Sequence, residues 1–378
     1  MNKFQYSNRE AWIDNVKMVA MLFVVLGHTP VMIHSSLPSW LAIFVLSFHM
    51  PLFVVMTGYT SVRSIDAISD IGSLGAYLLK ITKRILVPCA FFSAIMGIVM
   101  SSFKFATGGE LPLQKIFVDI GIVIAYVIAW YYRNTSLKYG FYIICLVSIP
   151  LSFSSPFWFF NMIWSVCVCC ALSSYITKAL KVKSISEWGG QFAFVLLAFV
   201  IALLVENISS KTSDFILFFI AGYLMKKYHY PFKNFKIVYS FLYLIAGLII
   251  AVLLGRGLMD FWKMHFIQFT EQGIAHLYFL RIAASILICL FFIHMTKFFS
   301  EDYTRFSFWG AQTLGLYMVH SMLVNMVERL KLSYYFNDAF FLLYSITAVL
   351  IIMIMSMLII KFFMKYKVTN ELCLGNLK

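Results

Sequence analysis

The chain has 378 residues, is 62% hydrophobic and only 12% charged, and carries a net charge of +14. That balance excludes a soluble globular fold and indicates a polytopic membrane protein. The positive charge is scattered over many short segments between apolar runs, not gathered on one face, so it gives no footprint for nucleic acid.

Taken in order, a polar start leads into two apolar runs, Val16–Ile33 and Leu41–Tyr59, each long enough to cross a bilayer as a helix. The first is too long for the apolar stretch of a signal peptide, and no small-residue cleavage site follows it, so it reads as a permanent span. Each run holds one histidine, in Gly27-His28 and in Phe48-His49-Met50-Pro51-Leu52-Phe53. An ionisable group at membrane depth is costly and needs a reason to be there. Lys17 marks one edge of the first run and His28 lies eleven positions on, a helical rise of about 16 Å. Arg63 marks the edge after the second run, and His49 lies roughly 20 Å back from it by the same rise. In an antiparallel hairpin the two imidazoles therefore share one depth. Helix-to-helix hydrogen bonding is the plainer use of such histidines. Pro51 removes a backbone donor and frees a carbonyl one turn back, which is also the signature of an ordinary kink.

Ser61–Thr82 mixes polar and apolar residues and reads as an amphipathic helix on the inner surface. Lys83-Arg84-Ile85-Leu86-Val87-Pro88 opens the third span. Further runs follow at Ile85–Phe103, Ile116–Tyr132, Tyr139–Phe153, Phe157–Thr177, Gln191–Val205, Phe215–Tyr228, Ile237–Leu254, Leu277–Phe299, Thr313–Leu330 and Phe340–Phe363. The expected fold is an all-α transmembrane bundle of about 10–12 spans, one membrane-embedded domain over residues 1–378 with no separate soluble domain. With the N-terminus inside, Lys and Arg fall overwhelmingly on the inner segments, so both termini are expected in the cytoplasm and Gly255–Ala275 outside. Arg281 lies inside a span near its outer end and is expected to snorkel outward or to line an acceptor site. The seven cysteines read as small apolar packers, and no metal-ligand spacing occurs.

Several segments together resemble a known family. Trp12-Ile13-Asp14-Asn15-Val16-Lys17, Val24-Val25-Leu26-Gly27-His28, Phe48-His49-Met50-Pro51-Leu52-Phe53 and Thr57-Gly58-Tyr59 are similar to the acyltransferase 3 family of membrane O-acyltransferases, its fucose 4-O-acetylase-like branch above all. Pro156-Phe157-Trp158-Phe159-Phe160, Ala221-Gly222-Tyr223 and Gly310-Ala311-Gln312-Thr313-Leu314-Gly315-Leu316-Tyr317-Met318-Val319-His320 extend the resemblance, which covers residues 9–363. It implies transfer of an acyl group, acetyl above all, from cytoplasmic acyl-CoA to a carbohydrate hydroxyl, with His28 essential. The acceptor would be a surface polysaccharide or a lipid-linked oligosaccharide, and the location the cell (inner) membrane. No bound cofactor is expected; acetyl-CoA or another acyl-CoA is the donor substrate. The family carries a basic pair before the third-span proline. Arg84 matches one member, but Ile81 stands at the other, flanked by Lys80 and Lys83.

Acyl transfer to a hydroxyl needs a base, a holder for the oxyanion, and alignment of both substrates. No Gly-x-Ser-x-Gly element supports a serine route, whereas histidine titrates near working pH. We therefore expect His28 as base or transient acyl acceptor and His49 as its orienting or oxyanion partner. Lys17, Lys83 and Arg84 are expected to hold donor phosphates, with Asp14, Tyr317 and His320 in supporting places. The rival is a polytopic transporter or flippase for a lipid-linked sugar, which also uses many spans and buried histidines.

Overall fold

The computed structural model describes residues 10–33, 39–135, 138–153, 157–180, 187–206, 211–230, 237–255, 268, 271–272, 274–299, 304–330 and 341–376. The described residues hold helices and no strand, as a chain with no water to satisfy its backbone in the bilayer requires. Each of the twelve apolar runs falls on a helix. Eight stretches are long and apolar enough to cross a membrane, and Tyr139–Leu151 and Gly189–Val205 are shorter apolar helices. The described residues group into two compact units.

The first unit contains α1 (Ala11–Ile33), most of α2 (Ser39–Asp66), α9 (Thr212–Lys227), α10 (Ile237–Gly255), α11 (Ala275–Phe299) and the short α12 (Arg305–Gly310). Glycines set its closest crossings. A Cβ on Gly58 of α2 would lie 2.0 Å from the Phe219 carbonyl oxygen, and one on Gly222 of α9 would lie 1.9 Å from that of Val55. The two glycines thus let α2 and α9 touch backbone to backbone, as small residues do in membrane helix pairs. Gly310 does the same for α12 on α1, where a Cβ would stand 1.8 Å from the Asp14 carbonyl oxygen. Phe23, Phe44, Phe48 and Phe292 form an aromatic cluster joining α1, α2 and α11, with Phe48 and Phe292 stacked at 4.4 Å.

The second unit contains α3 (Ile71–Ile81), α4 (Val87–Ala106), α5 (Leu113–Tyr132), α6 (Lys138–Phe153), α7 (Trp158–Ala179), α8 (Glu187–Val205), α13 (Thr313–Arg329), α14 (Phe341–Lys365) and α15 (Lys367–Leu372). The single surface helix expected over residues 61–82 is corrected here. α2 runs on to Asp66, the chain turns, and α3 starts at Ile71 with Asp70 and Ser73 in a reciprocal capping box. α3 then continues through a π-helical turn, Thr82–Leu86, into α4. Leu74, Tyr77 and Ile81 make its buried stripe. Lys178 of α7 caps the end of α2 by donating to the carbonyls of Asp66 and Ile68 at 2.8 and 2.6 Å. All seven cysteines are free and buried, including Cys373, which lies outside the long apolar runs.

Candidate functional site

α1 and α2 meet where Gly27 faces Val45, whose Cγ1 a Cβ on Gly27 would reach at 3.5 Å. His28 follows Gly27, and His49 lies one turn beyond Val45. The two imidazoles are within electrostatic reach of each other. The ring Nδ1 of His49 bonds the Val45 carbonyl. A carbonyl only accepts, so Nδ1 carries the hydrogen and Nε2 is left as the acceptor of the neutral ring. His28 keeps an accessible side-chain face although protein atoms largely surround it, while His49 is partly buried. Residues 29 and 30 are described as helix, without their side chains.

Away from the histidines, one end of this unit is polar. Glu10 accepts from Trp12 Nε1 at 2.8 Å and from Lys226 Nζ at 3.0 Å. Lys226 lies over the Tyr59 ring at 4.7 Å and Lys297 over the Trp12 ring at 4.8 Å. Trp12 and Tyr59 meet edge to face at 5.2 Å. Asn15 accepts from Ser307 at 2.7 Å. Burial pushes the Glu10 carboxyl up, but the hydrogen bonds from Lys226 and Trp12 and the charges of Lys226 and Lys297 outweigh it and hold the group below its ordinary value. The start of α1 and the ends of α2, α9 and α11 therefore gather at one end, all of them segments that the charge count assigns to the inner side. Lys17 belongs to this end and pairs with buried Asp14 at 3.4 Å. Asp14 sits where Gly310 brings α12 onto α1.

Toward the opposite end of α11, Arg281 corrects its expected outward snorkelling. It is buried, pairs with Asp214 of α9 at 3.4 Å, and lies 5.1 Å over the Tyr278 ring. Tyr278 in turn donates to the Ser213 carbonyl at 2.9 Å.

In the second unit, Tyr317 and His320 share one face of α13, their rings 5.2 Å apart. Phe159 and Phe160 each approach Tyr317 at 5.1 Å, so two segments far apart in sequence form one aromatic wall. His320 donates Nδ1–H to the Leu316 carbonyl at 3.1 Å. Lys83 and Arg84 lie in the π turn. Lys83 stands over the rings of Phe141 and Tyr142 at 5.4 and 5.2 Å, and the Arg84 side chain is exposed. π turns inserted in α-helices recur at functional sites.

The sequence reading passed over several groups. His294 packs between the rings of Tyr230 and Tyr243 at 5.8 and 6.0 Å, and those tyrosines bond each other at 3.3 Å. Asp119 of α5 presses on Gly97 of α4, where a Cβ would lie 2.1 Å from its Oδ2. Glu371 is buried and accepts from Trp130 and Arg133. An ionisable residue inside a span signals the first two, and only its partners signal the third. No cluster of three or more metal-ligating side chains occurs among the described residues.

A bundle of apolar helices with polar groups held at its helix crossings defines a multi-pass membrane protein. Comparison with known families sharpens this. The acyltransferase-domain model of the acyltransferase 3 family matches residues 10–361, and the chain belongs to that family. The protein is therefore a membrane acyltransferase. The match is to the family as a whole and does not single out a branch. Neither the curated proteins nor the solved structures give a match.

Proposed function

We propose that the protein moves an acyl group, acetyl in the simplest case, from cytoplasmic acyl-CoA to a hydroxyl of a cell-surface or lipid-linked carbohydrate, in the cell (inner) membrane. The observation that supports this reading is that His28 and His49 stand near the α1–α2 contact, within electrostatic reach of each other, in a chain of an acyltransferase family. The acceptor hydroxyl oxygen attacks the thioester carbonyl while His28 takes its proton. The tetrahedral intermediate collapses, the C–S bond breaks, and His28 returns the proton to the leaving thiolate, giving ester and free CoA. The exposure of His28 suits a group that must reach both substrates.

His49 with its Nδ1–H on Val45 offers Nε2 as an acceptor. That favours orienting the His28 ring over donating to the oxyanion, which a neutral His49 cannot do from Nε2. Lys83 and Arg84 bind the donor phosphates, with the Arg84 guanidinium supplying a planar fork of donors. Lys17, paired with Asp14, adds a further inner-side charge for the donor.

Purified protein incubated with radiolabelled acetyl-CoA and extracted lipid-linked or polymeric carbohydrate tests the reaction. Label should appear in an alkali-labile ester on sugar. The absence of both transfer and acyl-CoA hydrolysis under conditions that keep the protein folded would refute it. Arg84→Ala should raise the KM for acyl-CoA with kcat little changed. An unchanged KM would return Arg84 to an ordinary inner-side charge.

A further inference from the structure

The segment after α14 carries a structure that the acyl-transfer reaction does not by itself call for. The family match ends at residue 361, and the chain then folds back over Tyr366–Asn376. Glu371, Leu372, Cys373 and Leu374 are buried, Leu372 and Cys373 fully. Two groups at the end of α5 fix Glu371: its Oε2 accepts from Trp130 Nε1 at 2.8 Å and from Arg133 at 2.9 Å. Arg133 also donates to the Trp130 carbonyl at 2.7 Å and lies 4.4 Å over the indole. A buried carboxylate needs such partners to be tolerated.

Beyond this anchor, Gly375 adopts φ +68° and lies against the π turn. A Cβ there would stand 2.5 Å from the Arg84 carbonyl oxygen and 3.3 Å from Pro88 Cγ. Gly375 therefore packs directly on the Arg84 carbonyl, and only glycine fits both the left-handed backbone and the space. On the other side, Leu374 fills the hollow over Gly315 of α13, where a Cβ would lie 2.6 Å from its Cδ2.

We propose that residues 366–376 form a clamp that sets the backbone of the Lys83-Arg84 turn, so that Glu371 and Gly375 are positioning residues for the phosphates of acyl-CoA. The proposal rests on the donor-binding reading of Lys83 and Arg84. Glu371 anchors the segment on α5, and Gly375 transmits that anchor to the Arg84 carbonyl. The guanidinium then projects from a backbone packed against Gly375.

The test compares two donors, acetyl-CoA and acetyl-N-acetylcysteamine, which keeps the thioester but has no phosphates. Gly375→Ala should raise the KM for acetyl-CoA at least about threefold with kcat little changed, since small displacements of a positioning group weaken alignment steeply. It should leave the KM for the phosphate-free donor unaltered. Glu371→Gln, which keeps shape and accepting capacity but loses the charge, should act in the same direction and serves if Gly375→Ala does not fold. Equal losses with both donors, or no loss with either, overturn the clamp. Arg84→Ala in the same assay separates the two ideas. If it raises the KM for acetyl-CoA and the clamp variants do not, the clamp fails and the donor site stands. If Arg84→Ala has no effect, the donor site itself fails and the clamp with it.

Discussion

A general base inside a membrane helix must reach its substrate and must hold a proton only briefly. His28 is exposed and has a second imidazole within electrostatic reach, which fits both demands. His28→Ala should cost about a hundred- to ten-thousand-fold in transfer rate. Truncation removes a polar group from membrane depth, so protein level and membrane insertion should stay near wild type. His28→Gln is the sharper variant: it keeps hydrogen-bonding capacity but takes no proton near neutral pH. Transfer by the Gln variant above about a tenth of the wild-type rate would sink the base assignment. The two histidines stand out in the sequence because an ionisable group in an apolar run contrasts with its neighbours. His294 and Asp119 send the same signal and were passed over for want of an adjoining motif. The partner of Arg281 was not legible, since Asp214 lies 67 positions away. A buried ion pair across two helices looks in sequence like two unrelated charges.

Between elements, the decisive contacts are made by what is missing. Gly58 and Gly222 belong to two Gly-Tyr segments that the family resemblance marks, and in space each glycine receives the other helix's carbonyl. The sequence showed both glycines but not that they form one crossing, because the pairing depends on helix direction and register. Gly222→Ala would put a methyl group 1.9 Å from the Val55 carbonyl, so α2 and α9 must part. Such overpacking costs about 1–3 kcal/mol, and more where backbone cannot yield. The melting temperature in detergent should fall clearly. A Gly222→Ala protein as stable as wild type would show that the crossing is not tight. At the polar end of the same unit, Glu10 ties α1 to α9 through Lys226. Its folded pKa lies below the ordinary 4.5, so the stability it adds is complete above that value and is lost as pH falls through the depressed one. From about pH 5 downward, wild type should lose melting temperature faster than Glu10→Gln, whose amide does not titrate. Parallel pH profiles for the two proteins would remove Glu10 from that role.

For the molecule as a whole, helicity and span positions follow from composition and run length alone, whereas the join of α3 to α4 through a π turn does not. Within the Ser61–Thr82 stretch the amphipathic part is Ile71–Ile81, which buries Leu74, Tyr77 and Ile81 and leaves its other face exposed. Orientation remains a prediction carried by charge. With Lys and Arg concentrated on alternate segments, both termini lie inside and the segment around Glu271 outside. The start of α1 and the ends of α2, α9 and α11 meet at one polar end, which supplies the inner face this arrangement needs. Single-cysteine labelling with a membrane-impermeant maleimide can read it directly, because all seven native thiols are buried and should give little background. Glu271→Cys and Tyr228→Cys both replace exposed residues, on segments assigned to opposite sides. Glu271→Cys should label in intact cells, and Tyr228→Cys only after the membrane is opened. The reverse pattern would invert the bundle and put Arg84 on the outer face, away from cytoplasmic acyl-CoA. A topology measurement therefore bears on the donor site as directly as any substitution within it.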